Sequence, residues 1–204
     1  STKIKDGQNY YNIVPQDLYT SDDRKTKAGS IEIAAPVKVL AHKDGGVQIE
    51  LDMWRKNKGF GRVWYTNFGL NIPAAIIEKD LASDESLITK GELKEDPLTG
   101  LEWQKVKAQF WVAEGGLMES IEPAWDIASQ TYSDSCSTCH RQPDPSGHDA
   151  NQWPGLFSGM VGFTNLDNDS AAMVLKYLQL HSSDFRKNPQ GSGSPENTFQ
   201  GARP

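Results

Sequence analysis

Val47-Gln48-Ile49-Glu50-Leu51 alternates apolar and polar side chains at every step, the period-two signature of a strand with one buried and one wet face. The residues before it, His42-Lys43-Asp44-Gly45-Gly46, read as a turn, with Asp-Gly-Gly supplying positive φ. Ahead of that turn, Ile31-Glu32-Ile33 and Val37-Lys38-Val39 repeat the alternation. Downstream, Arg62-Val63-Trp64-Tyr65, Ala74-Ala75-Ile76-Ile77, Leu101-Glu102-Trp103 and Ala108-Gln109-Phe110-Trp111-Val112 give further strands. Five to seven short strands joined by tight glycine- and proline-bearing turns predict a small β-barrel or SH3-like sandwich.

From Leu117 the period changes. Leu117, Ile121, Trp125, Ile127-Ala128 and Tyr132 fall near helical spacing, and Pro123 is tolerated in the first turns. A second helix start is read at Asp169-Ser170, followed by Met173, Leu175, Tyr177-Leu178 and His181. Beyond residue 185, Gly191-Ser192-Gly193-Ser194-Pro195 sits in a stretch without apolar periodicity, expected to be a flexible tail. The expected organisation is therefore α+β. A strand-rich module occupies 1–115, a helical module 116–185, and a tail 186–204.

The chemistry of that second module is read from one string. The chain has two cysteines, and they fall together as Cys136-Ser137-Thr138-Cys139-His140. Cys-x-x-Cys-His is the attachment signature of covalent c-type haem. Two thiols add to the two vinyl groups of the porphyrin, and the next residue, His140, lies beneath the iron as proximal ligand. A thioredoxin-like pair does not need the histidine and belongs to a βαβ setting. A disulfide across so small a loop stabilises little. A zinc site made of Cys136, Cys139, His140 and His148 is awkward, because adjacent residues fit poorly around one tetrahedral ion. One covalent haem c is the expectation, and the helical module 116–185 is read as a class I-like c-type cytochrome module.

Composition bounds the rest. The 204 residues are 37% hydrophobic and 24% charged, with a net charge of −6 and mean hydropathy of −0.60. That balance argues against nucleic acid, whose phosphates select a basic surface. No apolar run approaches the ~20 residues that cross a bilayer, so no direct membrane insertion is expected of this chain. The first residues show no apolar signal-peptide core, and the haem motif itself points to a mature or excised chain outside the cytoplasm. An acidic surface suits docking onto a basic patch of a redox partner.

Haem iron held by one histidine takes a second ligand or keeps an open site. Met160 lies past the motif among Ser158 and Gly159, which let a porphyrin approach, and is the preferred distal ligand. His181, at a helix end, and His148, in a polar loop, are the alternatives. Trp153 and Phe163 are expected to pack against the porphyrin as pocket aromatics.

Three stretches carry a resemblance: Ala150-Asn151-Gln152-Trp153-Pro154-Gly155, Gly159-Met160-Val161-Gly162-Phe163 and Leu175-Lys176-Tyr177-Leu178-Gln179-Leu180-His181. Here the chain resembles the C-terminal monohaem domain of the membrane-anchored NapC/TorC pentahaem cytochromes c that serve trimethylamine-N-oxide and dimethyl sulfoxide reductases (the TorC type). The likeness is sharp over about 132–184 and looser through the strand region. It implies a periplasmic electron-transfer protein, not an enzyme. Electrons would come from a quinol-linked multihaem membrane cytochrome and leave to a periplasmic molybdenum reductase. The family's matching positions carry over as Cys136, Cys139 and His140, and Met160, His148 and His181 also fall at family-like places. No tetrahaem region or membrane anchor is read in this sequence, so an excised domain or a free-standing relative is expected. The competing readings are a haem-based sensor or small-ligand protein with open iron coordination, and a protein-docking or regulatory role for the strand-rich module.

Overall fold

A computed structural model describes residues 3–136 and 142–185. Ten strands form one sheet: β1 (Asn9–Asn12), β2 (Gln16–Tyr19), β3 (Lys27–Ile31), β4 (Pro36–Lys43), β5 (Gly46–Lys56), β6 (Val63–Tyr65), β7 (Pro73–Ile77), β8 (Thr89–Glu95), β9 (Glu102–Ala113) and β10 (Leu117–Met118). A single helical turn, α1 (Lys79–Ala82), lies between β7 and β8. Among the described residues three helices follow the sheet: α2 (Glu122–Cys136), α3 (Trp153–Val161) and α4 (Asn168–Leu180). Among the described residues no helix is long and apolar enough to cross a membrane.

The string that opens the sequence reading lies in β5, which organises the sheet. One edge of β5 pairs with β9 along its whole length, from Gly46↔Ala113 to Lys56↔Trp103. Its other edge is shared: β4 pairs with the first half and β6 with Trp54 and Arg55. Following the ladder β5–β6–β7–β3–β2–β9 returns to β5, so six strands close into a barrel. Val47, Ile49, Leu51 and Met53 from β5 meet Val106, Phe110 and Val112 from β9 in its buried interior. Gln48, Glu50 and Asp52 alternate outward, as the period-two pattern requires. Closure demands one glycine: Gly29 in β3, with φ of 154°, approaches β7 so closely that a Cβ would collide with the Ile76 carbonyl.

Two local expectations change in physical detail. The β4–β5 turn is tighter than expected, with Asp44 and Gly45 at φ of 50° and 76° and strand pairing resuming at Lys43↔Gly46, the positive-φ pair that a two-residue hairpin needs. Glu102-Trp103 and Ala108–Val112 are not separate strands but parts of the continuous β9, which begins just after Leu101.

The larger correction concerns the fold class. The expected architecture, an SH3-like module of five to seven strands followed by a helical class I-like cytochrome module, is not what forms. Among the described residues the regular structure is mostly strand, built on a closed six-stranded barrel, with few helices. Leu117, expected to begin a helix, instead pairs with Asn12 as part of β10, and α2 starts only at Glu122. Nor do the helices enclose a core of their own alone. Ile121, Trp125 and Ala128 around α2, with Leu180 and Phe185, share one buried cluster with Tyr11, Ile33, Leu70 and Ile72 from the barrel side. The 3.6-residue period reports an apolar stripe but not what covers it; here much of the cover is the barrel. The expected tail, 186–204, lies outside the described residues.

The seam between barrel and helices is also polar. Lys176 of α4, 6% exposed, pairs with Glu32 and donates to the Pro73 carbonyl. Gln179 donates to the carbonyls of Asn71 (2.9 Å) and Ala150 (3.0 Å), and the Asn71 amide donates to Asn151 Oδ1 at 2.6 Å. The loop that leads into β7 is thereby fastened to the segments that carry the candidate site.

Candidate haem site

α2 delivers Cys136. Its buried residues Trp125, Ala128, Tyr132 and Cys136 recur at three- and four-residue spacing on one face, so the last thiol points into protein. Cys139 and His140 lie outside the described residues. Further along the chain, Asp144 caps a short 3-10 turn by accepting from the Ser146 amide, and α3 then begins with Pro154 in its first turn.

These elements frame a cleft of about 290 Å³ lined by Ser135, Cys136, Gly159, Met160, Phe163 and Thr164. Cys136 and Met160 are thus brought to one cavity from α2 and α3. The lining is mostly apolar, and nothing stands within 4 Å of where a Cβ on Gly159 would lie. Behind the cleft, Cys136 belongs to a buried cluster with Tyr132, Trp153, Phe157, Val174 and Leu178, against which Met160 also packs. α4 lies against both α2 and α3, completing this wall.

The other expected residues are placed as follows. Phe163 lines the cleft at its rim and is 83% exposed. Trp153 is fully buried in the cluster behind Cys136 and does not line the cleft; its indole N–H donates to the Pro145 carbonyl at 2.9 Å. His148 packs edge-on against Trp153, ring centres 5.1 Å apart. His181 sits in the barrel–helix seam, with its Nδ1 2.7 Å from the Tyr177 carbonyl and its ring on Trp125 and Tyr177. Of the three candidate distal ligands, Met160 is the one among the cleft-lining residues.

Tyr132 was not a candidate from sequence, yet it has a place here. Its hydroxyl donates to the Pro143 carbonyl at 2.7 Å. Burial first, then the charge of nearby Cys136, push its pKa up to about 12. The signal was available: Tyr132 stands four residues before Cys136 on the same helical face.

The donor set fits haem c. A thiol at a helix end and a thioether lining the same apolar cleft are the donor types that a covalent haem anchor and a soft iron ligand require. The bare backbone at Gly159 leaves room for a flat macrocycle.

Comparison with known proteins agrees with that chemistry. Residues 4–117 match the family described as the TorC third cytochrome c domain, a match that ends before Cys136. The chain is 33% identical over 190 residues to the cytochrome c-type protein TorC of Escherichia coli O157:H7 and, equally, to that of Escherichia coli strain K12. Each alignment covers 93% of this chain and 48% of the relative, so the chain spans about half the length of the curated relatives it matches. No solved structure matches. With its barrel matched from residue 4 to residue 117 and its helices inside the longer alignments, the chain belongs to the TorC third cytochrome c domain family.

Proposed function

We propose that this chain carries one haem c attached through Cys136 and Cys139, with His140 as proximal and Met160 as distal iron ligand, and that it transfers electrons instead of catalysing a reaction. Membership of a cytochrome c domain family implies covalent haem c. The observation that carries the site is the meeting of Cys136 and Met160 in one apolar cleft. Bound haem supplies the one-electron redox chemistry. Cys136 anchors the porphyrin edge, Met160 presents its sulfur, and the buried cluster of Trp153 and Phe157 keeps water from that side of the cleft. A histidine–methionine pair in a dry pocket raises the potential relative to two histidines.

The division of labour proposed is a strand-rich part, 1–115, that braces a haem-bearing part, 116–185. The donor would be a quinol-linked multihaem membrane cytochrome and the acceptor a periplasmic molybdenum reductase of the trimethylamine-N-oxide or dimethyl sulfoxide type. The place of work would be the periplasm. The name TorC on both relatives supports this choice.

The test is spectroscopic. Purified holoprotein should show one haem per chain by its pyridine spectrum, a low-spin ferric state, and slow carbon monoxide binding when reduced. Met160→Ala should turn the ferric state high-spin and open the ferrous state to carbon monoxide. An unchanged Met160→Ala spectrum would remove Met160 from the iron.

A further inference from the structure

The barrel wall has a notch on its outer face. β5 fills one edge of β9 from Trp103 to Ala113, so β2 and β8 share the other edge. β8 pairs with β9 as far as Lys107, opposite Thr89, and β2 pairs with it at Trp111, opposite Tyr19. Between those two points, about 13 Å along the strand, no strand pairs with that edge of β9. Successive residues of an antiparallel strand turn their N–H and C=O alternately to one edge and the other. Ala108 or Gln109 therefore presents a backbone donor and acceptor to the gap.

The notch is the floor of a cavity of about 400 Å³, within the size range of small-molecule sites. Gln48 and Glu50 reach it from β5, Lys107 and Gln109 from β9, Thr20 from just past β2 and Thr89 from the start of β8. Register sets Glu50 opposite Gln109. Gln48 donates to Gln109 Oε1 at 3.3 Å, and the Lys107 ammonium stands 3.9 Å from the Glu50 carboxylate. Both separations exceed the ~2.9 Å of a well-made N–H···O bond, so these side chains keep capacity for a ligand.

The lining selects by chemistry. One ammonium and one carboxylate cancel, so no ion of a single sign is favoured. No aromatic ring lines the cavity, so there is no cage for a quaternary ammonium. Polar groups dominate, with Leu87 and Ala108 as the apolar contribution, which disfavours an apolar ligand. A hydroxyl suits every polar group present, since it accepts from the lysine, donates to the carboxylate and does either with a carboxamide. A sugar ring carries several hydroxyls and a C–H face that Leu87 can meet.

We propose that the notch between β2 and β8 is a binding site for a neutral saccharide of one or two rings. It shares no residue with the haem cleft and stands whether or not haem is bound.

The experiment titrates the isotope-labelled full-length holoprotein with glucose, maltose and lactose, following backbone amide signals by NMR. At least one sugar should give saturable shifts at Thr20, Thr89 and Gln109, with millimolar affinity. Glu50→Gln and Gln109→Ala should each weaken binding about threefold to tenfold. Thr89→Trp, which fills the notch from an exposed position, should abolish it with the thermal midpoint kept; Thr20→Trp gives the same block from the opposite side. Glu92→Gln, further along β8, should leave binding as it was. Glycine and trialanine serve as controls for a zwitterion and for a strand-pairing peptide. The proposal is overturned if no sugar gives a saturable shift, or if the shifts fall outside the notch or persist in both tryptophan variants. Tighter binding of glycine or trialanine at the same amides overturns it as well.

Discussion

The hydroxyl of Tyr132 donates to the carbonyl of Pro143 across 2.7 Å, tying the buried face of α2 to the chain that follows the Cys-x-x-Cys-His string. Trp153 makes the matching bond from α3, its indole N–H to the Pro145 carbonyl at 2.9 Å. The Cys-x-x-Cys-His string is therefore preceded by the buried end of a helix and followed by a stretch pinned at two carbonyls. Tyr132→Phe removes one pin and keeps the ring in the cluster. The expected cost is about 1 kcal/mol, seen as a drop of about 2–4 °C in the thermal midpoint. Haem content should be unchanged, because the covalent anchor is intact.

Tyr132 also gives the fold a pH dependence. Burial is the main cause that raises its pKa to about 12, against about 10 for a tyrosine in an unfolded chain. The folded state holds this proton more tightly than the unfolded state does. Its contribution is whole below the unfolded value and is lost as pH rises through the folded one. Thermal midpoints measured across that alkaline range should therefore fall more steeply for the wild type than for Tyr132→Phe. Parallel curves would show that the hydroxyl plays no part.

Lys176 and Glu32 hold the seam. Burial pulls the Lys176 ammonium below the ordinary lysine range, while the Glu32 carboxylate pulls it back up. Lys176→Met leaves Glu32 without this partner and the Pro73 carbonyl without this donor. Because the Glu32 side chain is about a third exposed (32%), the expected loss is about 1–3 kcal/mol, less than for a wholly buried pair. Lys176→Met/Glu32→Leu should recover part of it, since removing both charges ends the unpaired cost. Urea unfolding of the two variants separates these outcomes.

How much of this was legible in sequence depends on how local the cause is. The alternation at Val47 to Leu51, the positive-φ turn at Asp44 and Gly45, and the proline-started helix at Trp153 are set by neighbouring residues, and each is readable. Barrel closure is not, because it depends on β5 pairing with β9 some sixty residues away. The strand at Leu117 was hidden for the same reason: its partner, Asn12, lies at the other end of the barrel sequence. At the site, Cys136 and Met160 were legible as chemistry. That Met160 shares a cleft with Cys136 while His181 is occupied with Trp125 and Tyr177 follows only from how three helices pack.

The shared core predicts what happens when the chain is cut. A fragment of residues 116–185 keeps the cluster of Tyr132, Trp153, Phe157, Val174 and Leu178. It exposes Ile121, Trp125, Ala128, Leu180 and Phe185, which the barrel residues Tyr11, Ile33, Leu70 and Ile72 otherwise help to cover. It also frees Lys176 and Gln179 from their barrel partners, Glu32, Pro73 and Asn71. Burying five such side chains stabilises by about 1.5–3 kcal/mol for each large one, comparable with the whole stability of a small domain. The fragment is expected to show helical circular dichroism, to bind a hydrophobic dye and to melt without a cooperative transition. A sharp two-state melt of the isolated fragment would show instead that the helices stand alone and that the barrel only adorns them.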